Sequence, residues 1–166
     1  MIGREAVDRG VEDEAQVMGA LRHYGWGVCA FGQGAWNPDE NPAGDGRLIA
    51  AIRLSTSPAR WAPDLITATQ KGVHLIEVIR CARENVALEQ AKLEANDLWS
   101  VALPVFYVNA ATGASWPHRG WDWEAEALGP VLSHHRGNGS GDPYRLFRRE
   151  GLGRPFHEVF GSNPWP

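Results

Sequence analysis

Two acids stand where an acid is costly. Asp64 follows Pro63 at the mouth of the apolar run Leu65-Ile66-Thr67-Ala68-Thr69, and Glu77 sits inside a second run, Val73-His74-Leu75-Ile76-Glu77-Val78-Ile79. A carboxylate among apolar neighbours is expensive to bury without a partner. A second carboxylate beside it raises that cost unless a cation sits between the two. Oxygen ligands from two or three acids suit Mg²⁺, which takes one or two carboxylates together with waters and a phosphate, and Mn²⁺ accepts the same donors. The chemistry this supports is metal-assisted phosphodiester cleavage. Glu14 is a candidate third acid. With Met18 and Leu21 it recurs at i, i+4 and i+7, with Val17 alongside, which is one helix face; an unpartnered acid on a core-facing stripe is uncommon.

The elements that must position these acids can be read from periodicity and breakers. Residues 63–69 and 73–79 read as strands joined by the tight turn Gln70-Lys71-Gly72, a hairpin that sets Asp64 near the start of one strand beside Glu77 near the end of the other. Side chains alternate along a strand, so Val73, Leu75, Glu77 and Ile79 share one face, and His74, Ile76, Val78 and Arg80 share the other. Upstream, residues 11–24 read as a helix stopped by Gly25, and 26–31 as a short buried strand. Residues 33–47 read as a loop, and 48–54 as either a strand or a helical turn. Downstream, residues 84–99 read as a helix and 104–108 as a strand entered by proline.

Composition narrows the class. The chain has 166 residues, 43% of them hydrophobic and 22% charged, which is a globular balance. The net charge of −4 excludes an indiscriminate nucleic-acid coat but not a nuclease, whose bound cation restores positive charge locally. There is no apolar run long enough for a membrane span, and the charged stretch MIGREAVDRGVEDEA has no apolar signal core, which predicts a cytoplasmic protein. Cys29 and Cys81 are too few for a disulfide framework. Cys29 is expected to be a small core residue, and Cys81 an exposed thiol. Of the 16 basic residues only Lys71 and Lys92 are lysine, so a mechanism that needs a lysine has two candidates.

The string Pro63-Asp64, followed thirteen residues later by Glu77-Val78-Ile79, resembles the PD-(D/E)xK nuclease superfamily. The Glu14 helix, the Tyr24-Gly25-Trp26 step into a strand, Gln90 and Leu103-Pro104-Val105-Phe106-Tyr107-Val108 resemble its VRR-NUC and Holliday-junction-resolvase-like branches. The resemblance covers residues 10–110. It implies an α/β, restriction-endonuclease-like core of order α-β-β-β-α-β, with a mixed sheet flanked by helices. Pro38-Asp39 is a competing pair, but it lacks flanking apolar residues. Residues 1–112 would then be the nuclease-like core, and 113–166 a Trp-rich extension packed on it.

The same resemblance implies roles. Asp64 and Glu77, with Glu14 and the Val78 carbonyl, would hold Mg²⁺; Gln90 and Lys92 would position the nucleophile; the substrate would be DNA; and some members work as homodimers. One departure stands out. Members carry a lysine two residues after the glutamate, and Ile79 stands there. Some members relocate that lysine to the following helix, which points to Lys92; Lys71 lies at the far end of the hairpin. If the rest of the site is intact, Ile79→Lys is expected to raise activity. Arg80, Arg145, Arg148 and Arg149 are candidate nucleic-acid contacts, and Trp36 or Trp61 candidate base-stacking rings. His134-His135 lacks metal-ligand spacing. The rival readings are a nuclease-fold DNA-binding protein that has lost hydrolysis, for which Ile79 speaks, and a protein-interaction or inhibitory module that docks through the tryptophans.

Overall fold

The computed structural model describes residues 2–39, 41–69, 71–81, 85–120, 123, 127–130, 132, 143–148 and 153–160. Gln70, Trp121, His134, His135, Arg149 and Trp165 lie outside them. The first element, α1 (Ile2–His23), buries Asp13, Val17 and Leu21, a stripe at i, i+4 and i+8. Glu14 lies at the edge of that stripe, half-buried. Gly25 ends the helix, as its position predicts. It takes φ 80°, its N–H donates to Arg22 O at 2.9 Å, and the Trp26 N–H donates to Leu21 O at 3.2 Å. These are the two bonds of a Schellman stop.

Strand β1 (Gly27–Ala30) follows, then an excursion of three short helices: α2 (Gly32–Trp36), α3 (Gly46–Leu54) and a 3-10 helix (Pro58–Trp61). The segment expected to be a loop thus contains α2 and the start of α3. The ambiguous residues 48–54 are helical because Asp45 caps them, accepting from the N–H groups of Arg47 and Leu48. The excursion closes on itself, since the Phe31 N–H donates to Asp64 O at 2.7 Å. Gly32 permits the closure. It takes φ +55°, and a Cβ there would lie 2.6 Å from Pro63 O.

The hairpin is as expected: β2 (Leu65–Thr69) pairs antiparallel with β3 (Gly72–Ile79) in the register Leu65↔Ile76. One step beyond that pair lie Asp64 and Glu77. Residues 84–99 correct the reading of a single helix: β4 (Asn85–Glu89) comes first, and α4 runs Gln90–Ala102. Val86 and Leu88 are buried while Asn85 and Ala87 are exposed. That two-residue alternation outweighs the helix preference of Ala, Leu and Glu because β4 has a partner strand. The partner is β7 (Tyr144–Arg148), which forms a separate two-stranded sheet with it.

The main sheet has six strands in the order β1-β2-β3-β5-β6-β8, with β5 (Val105–Asn109), β6 (Ala114–Pro117) and β8 (Arg154–Pro155). It is mixed: β3 and β5 are parallel, and the other pairs antiparallel. A last short helix, α5 (Phe156–Phe160), ends the described chain. Both faces of the centre are covered. Val17, Leu21, Trp26, Leu65, Ile76, Val108 and Phe160 pack on one, and Cys81, Leu93, Tyr107, Trp116 and Phe147 on the other. Covering both faces explains why the β3 run is apolar almost without alternation. The two cysteines reverse their expected settings. Cys29 is exposed because β1 is an edge strand, and Cys81 is buried, donating to Asn85 O. Among the described residues, no helix is long and apolar enough to cross a membrane.

His74 packs on the face opposite Glu77, against Phe106 and Phe160, with Nε2 3.1 Å from Thr69 Oγ1. Burial, reinforced by Lys71, holds its pKa below the ordinary 6.5. The folded chain therefore binds fewer protons than the unfolded one as pH drops through that value. The stability His74 contributes is complete above it and is lost below it, by no more than about 1.4 kcal/mol for each pH unit. Urea unfolding should show a lower midpoint at pH 5.5 than at 7.5 (about one pH unit either side of the unfolded value), and His74→Gln should shrink that difference. An equal difference in the variant would assign the effect elsewhere.

Candidate active site

Glu77 projects from the middle strand β3 toward α4 and is fully buried, at 0% exposure. Lys92, on the first turn of α4, donates its Nζ to Glu77 Oε1. A cation in the first turn works against the helix dipole, so this lysine needs the acid beneath it as much as the acid needs the lysine. Asp64 comes in from the turn before β2 and is fixed by the Val78 N–H, which donates to its Oδ2 at 2.8 Å. Burial first, and then the Asp64 charge, push the Glu77 pKa well above the carboxylate range, with Lys92 opposing both. As carboxylates, neither acid can donate to the other, and Glu77 Oε2 has no hydrogen-bond partner among the described residues. Once protonated, Glu77 finds an acceptor in Asp64. Burial works against the Lys92 ammonium, but the Glu77 and Asp64 carboxylates outweigh it and hold its pKa above the usual lysine value. As an ammonium, Lys92 can donate hydrogen bonds and offset negative charge.

Two cavities open on Asp64 and Lys92, while Glu77 is buried and lines neither. One, of about 430 Å³, is lined by Asp13, Glu14, Asp64, Val78, Arg80 and Lys92. The other, of about 260 Å³, shares Glu14, Asp64 and Lys92 and extends along the β1–β2 excursion. The donor set is suited to a hard cation: an orphaned buried carboxylate oxygen on Glu77, Asp64 beside it, and Glu14 on the same walls. Among the described residues no group of three or more His, Cys, Asp or Glu is arranged to hold a metal. Two carboxylates are nonetheless what Mg²⁺ ordinarily takes from a protein.

Glu14, Asp64, Val78 and Lys92 thus share one cavity wall, and Glu77 lies against Lys92 and Asp64. Gln90 begins α4, and its side chain donates to Glu94 Oε1 at 3.0 Å; it lines neither cavity. Arg80 reaches the wall of the larger cavity but pairs with Asp13 at 2.5 Å, and also donates to Gln16. Arg145 and Arg148 lie on β7 and line neither cavity. Arg149 is outside the described residues. Asp13 was missed by the sequence reading. Its signal was its spacing to Val17 and Leu21, hidden by the acidic run Glu12-Asp13-Glu14. A polar chain was also missed: the buried Asn96 Nδ2 donates to the Tyr107 OH, which lies 3.1 Å from His118 Nδ1, and His118 Nε2 meets the exposed Asp97 at 2.8 Å.

Compared with solved structures, the chain is similar to Hjc, a Holliday junction resolvase from the archaeal hyperthermophile Archaeoglobus fulgidus. The TM-score is 0.53 over 93% of this chain and 97% of that one, at 13% sequence identity. The fold is restriction-endonuclease-like. No protein-family model and no curated protein matches the sequence. The resolvase-like fold accounts for the sheet and its flanking helices.

Breaking a buried ion pair strands the deeper charge. Lys92 is 28% exposed and Glu77 not at all, so Lys92→Met should cost about 3 kcal/mol of unfolding free energy, near the low end for such pairs. Adding Glu77→Gln should recover most of it. Urea denaturation of both single variants and the double checks this; additive losses would mean that the two groups do not depend on each other.

Proposed function

We propose that the protein is a divalent-metal-dependent nuclease that hydrolyses phosphodiester bonds in DNA. The observation that carries the reading is Glu77, buried in the middle of the sheet with one carboxylate oxygen unpartnered, facing Asp64 and backed by the Lys92 ammonium. Asp64 and Glu77 would hold Mg²⁺, with Glu14 and the Val78 carbonyl as further oxygen donors. Bound there, the ion would lower the pKa of a coordinated water and offset the charge of the scissile phosphate. The chain's own groups supply the rest. The Val78 N–H orients Asp64, and Lys92 donates toward the negative charge that develops on the phosphate oxygens. Lys92 thereby takes the place left empty by Ile79. Gln90, turned toward Glu94, has no part in this reading. The resolvase neighbour's name supports DNA as the substrate class.

A second reading has one observation in its favour. The Lys92–Glu77 ion pair compensates the buried acid without any metal, as a DNA-binding descendant that has lost hydrolysis would need.

Plasmid nicking separates the two. Activity should appear with Mg²⁺ or Mn²⁺ and vanish with EDTA. Asp64→Asn, which keeps an acceptor for Val78, and Glu77→Gln should each lower it by about 100-fold or more. DNA retention without cleavage under any metal would favour the second reading. Because Ile79 packs with the cluster around Tyr107, Leu93 and Phe147, Ile79→Lys is now expected to give no gain in nicking and to lower thermal stability. A more active variant would show that Lys92 does not fill the vacant role.

A further inference from the structure

The excursion between β1 and β2 is held to itself and to the core by specific bonds. The Gln33 amide donates to Arg60 O at 2.6 Å and accepts from Arg53 Nε at 3.1 Å. The Trp99 indole donates to Pro58 O at 3.3 Å, tying the 3-10 helix to α4. The Arg60 guanidinium lies 4.8 Å from the centre of the Trp61 ring. One side chain, Gln33, thus holds both the Arg53 guanidinium and the main chain at Arg60.

What this arm delivers is a charge gradient. The smaller cavity is lined by Glu14, Asp64 and Lys92 and, from the excursion, by Gln33, Arg53, Arg60 and Trp61. The excursion's own lining residues include no acid. Among the described residues neither Arg53 nor Arg60 is in an ion pair, and Arg53, bound only through Nε, keeps its terminal nitrogens for another acceptor. The larger cavity differs: there Arg80 is neutralised by Asp13. Among the described residues, a polyanion whose one phosphate sits at the acids, with a cation, finds uncompensated guanidiniums at Arg53 and Arg60.

We infer that the β1–β2 excursion is the strand-guiding arm of this site: Arg53 and Arg60, aligned by Gln33, hold a phosphate of the DNA strand that flanks the one placed at Asp64 and Glu77. The inference rests on the nuclease reading for the identity of the acidic end. Arg53 and Arg60 are binding residues, and Gln33 is a positioning residue.

The test is fluorescence anisotropy of the full chain with a labelled duplex carrying a single-stranded tail, with Ca²⁺ in place of Mg²⁺, across a salt series. Arg47 lies on α3 in the same arm but outside the cavity, so Arg47→Ala controls for net charge. Arg53→Ala with Arg60→Ala should weaken binding about tenfold and reduce the slope of log Kd against log salt by about 1 to 2, one step per lost phosphate contact. Arg47→Ala should leave both nearly unchanged. Gln33→Ala should weaken binding less than the double change, with the salt slope retained. In nicking with metal, the double variant should show a raised KM and a kcat within about threefold of the parent. If the double variant fails to fold by circular dichroism, the exposed Arg53→Ala alone carries the test, with a slope change of about 1.

Parental affinity and slope in the arginine variants, or an equal loss in Arg47→Ala, would overturn the inference even if the protein cleaves DNA. Loss of binding in the arginine variants of a protein that cleaves nothing would support the arm while ending the nuclease reading. Absence of DNA binding by the unmodified chain would overturn the arm outright.

Discussion

A carboxylate with no access to water in the centre of a sheet is the condition around which this molecule is arranged. Glu77 cannot be left alone there, and its partner comes from an element that follows it by thirteen residues. For Lys92 to reach it, α4 must begin at Gln90 and lie across the β3–β5 pair with its first turn over Glu77. Strand β4 supplies the intervening chain and docks on β7, and the Pro143 carbonyl accepts from the Gln90 N–H, satisfying one of the helix's orphan donors. Farther along the helix, Asn96 and Ser100 are also buried. Lys92, Asn96 and Ser100 thus form a polar row on α4 beside the buried Leu93 and Ala95. A polar interface demands that its hydrogen bonds be met, and the Asn96–Tyr107–His118–Asp97 chain meets several of them.

Much of this could be read from residue types. The hairpin was legible because a tight turn sits between two β-branched runs, and its pairing put Asp64 beside Glu77 without further information. The α1 stop was legible because only glycine adopts that conformation readily. Lys92 was reachable because the chain has so few lysines, not because its helix was drawn correctly. What was illegible depended on distant partners. β4 is a strand only because β7, more than fifty residues away, pairs with it. Cys29 and Cys81 exchanged their expected settings because no local pattern says which strand is an edge. Arg80 is a candidate nucleic-acid contact by sequence, and nothing nearby in the chain announces that Asp13, on another element, neutralises it.

The likeness to an archaeal resolvase at 13% identity belongs to the same lesson. A sheet of given order, with helices on both faces, tolerates almost complete replacement of side chains as long as each face stays covered. Function has to be argued from the groups that break the pattern. Here those are the acids in apolar strands, a lysine at the wrong end of a helix, and arginines left without acids.

The hydrogen bond from Phe31 to Asp64 has a consequence for how such a protein can diversify. The excursion leaves the sheet and returns to it at one point, so the pairing of β1 with β2 does not register how long the detour is or what it contains. Loop length itself adds little to the entropic cost of closure. Natural variation could exchange the whole segment as a cassette while Asp64, Glu77 and Lys92 keep their places. The one position closed to such drift is the graft point, where Gly32 leaves no space for a side chain against the carbonyl preceding Asp64.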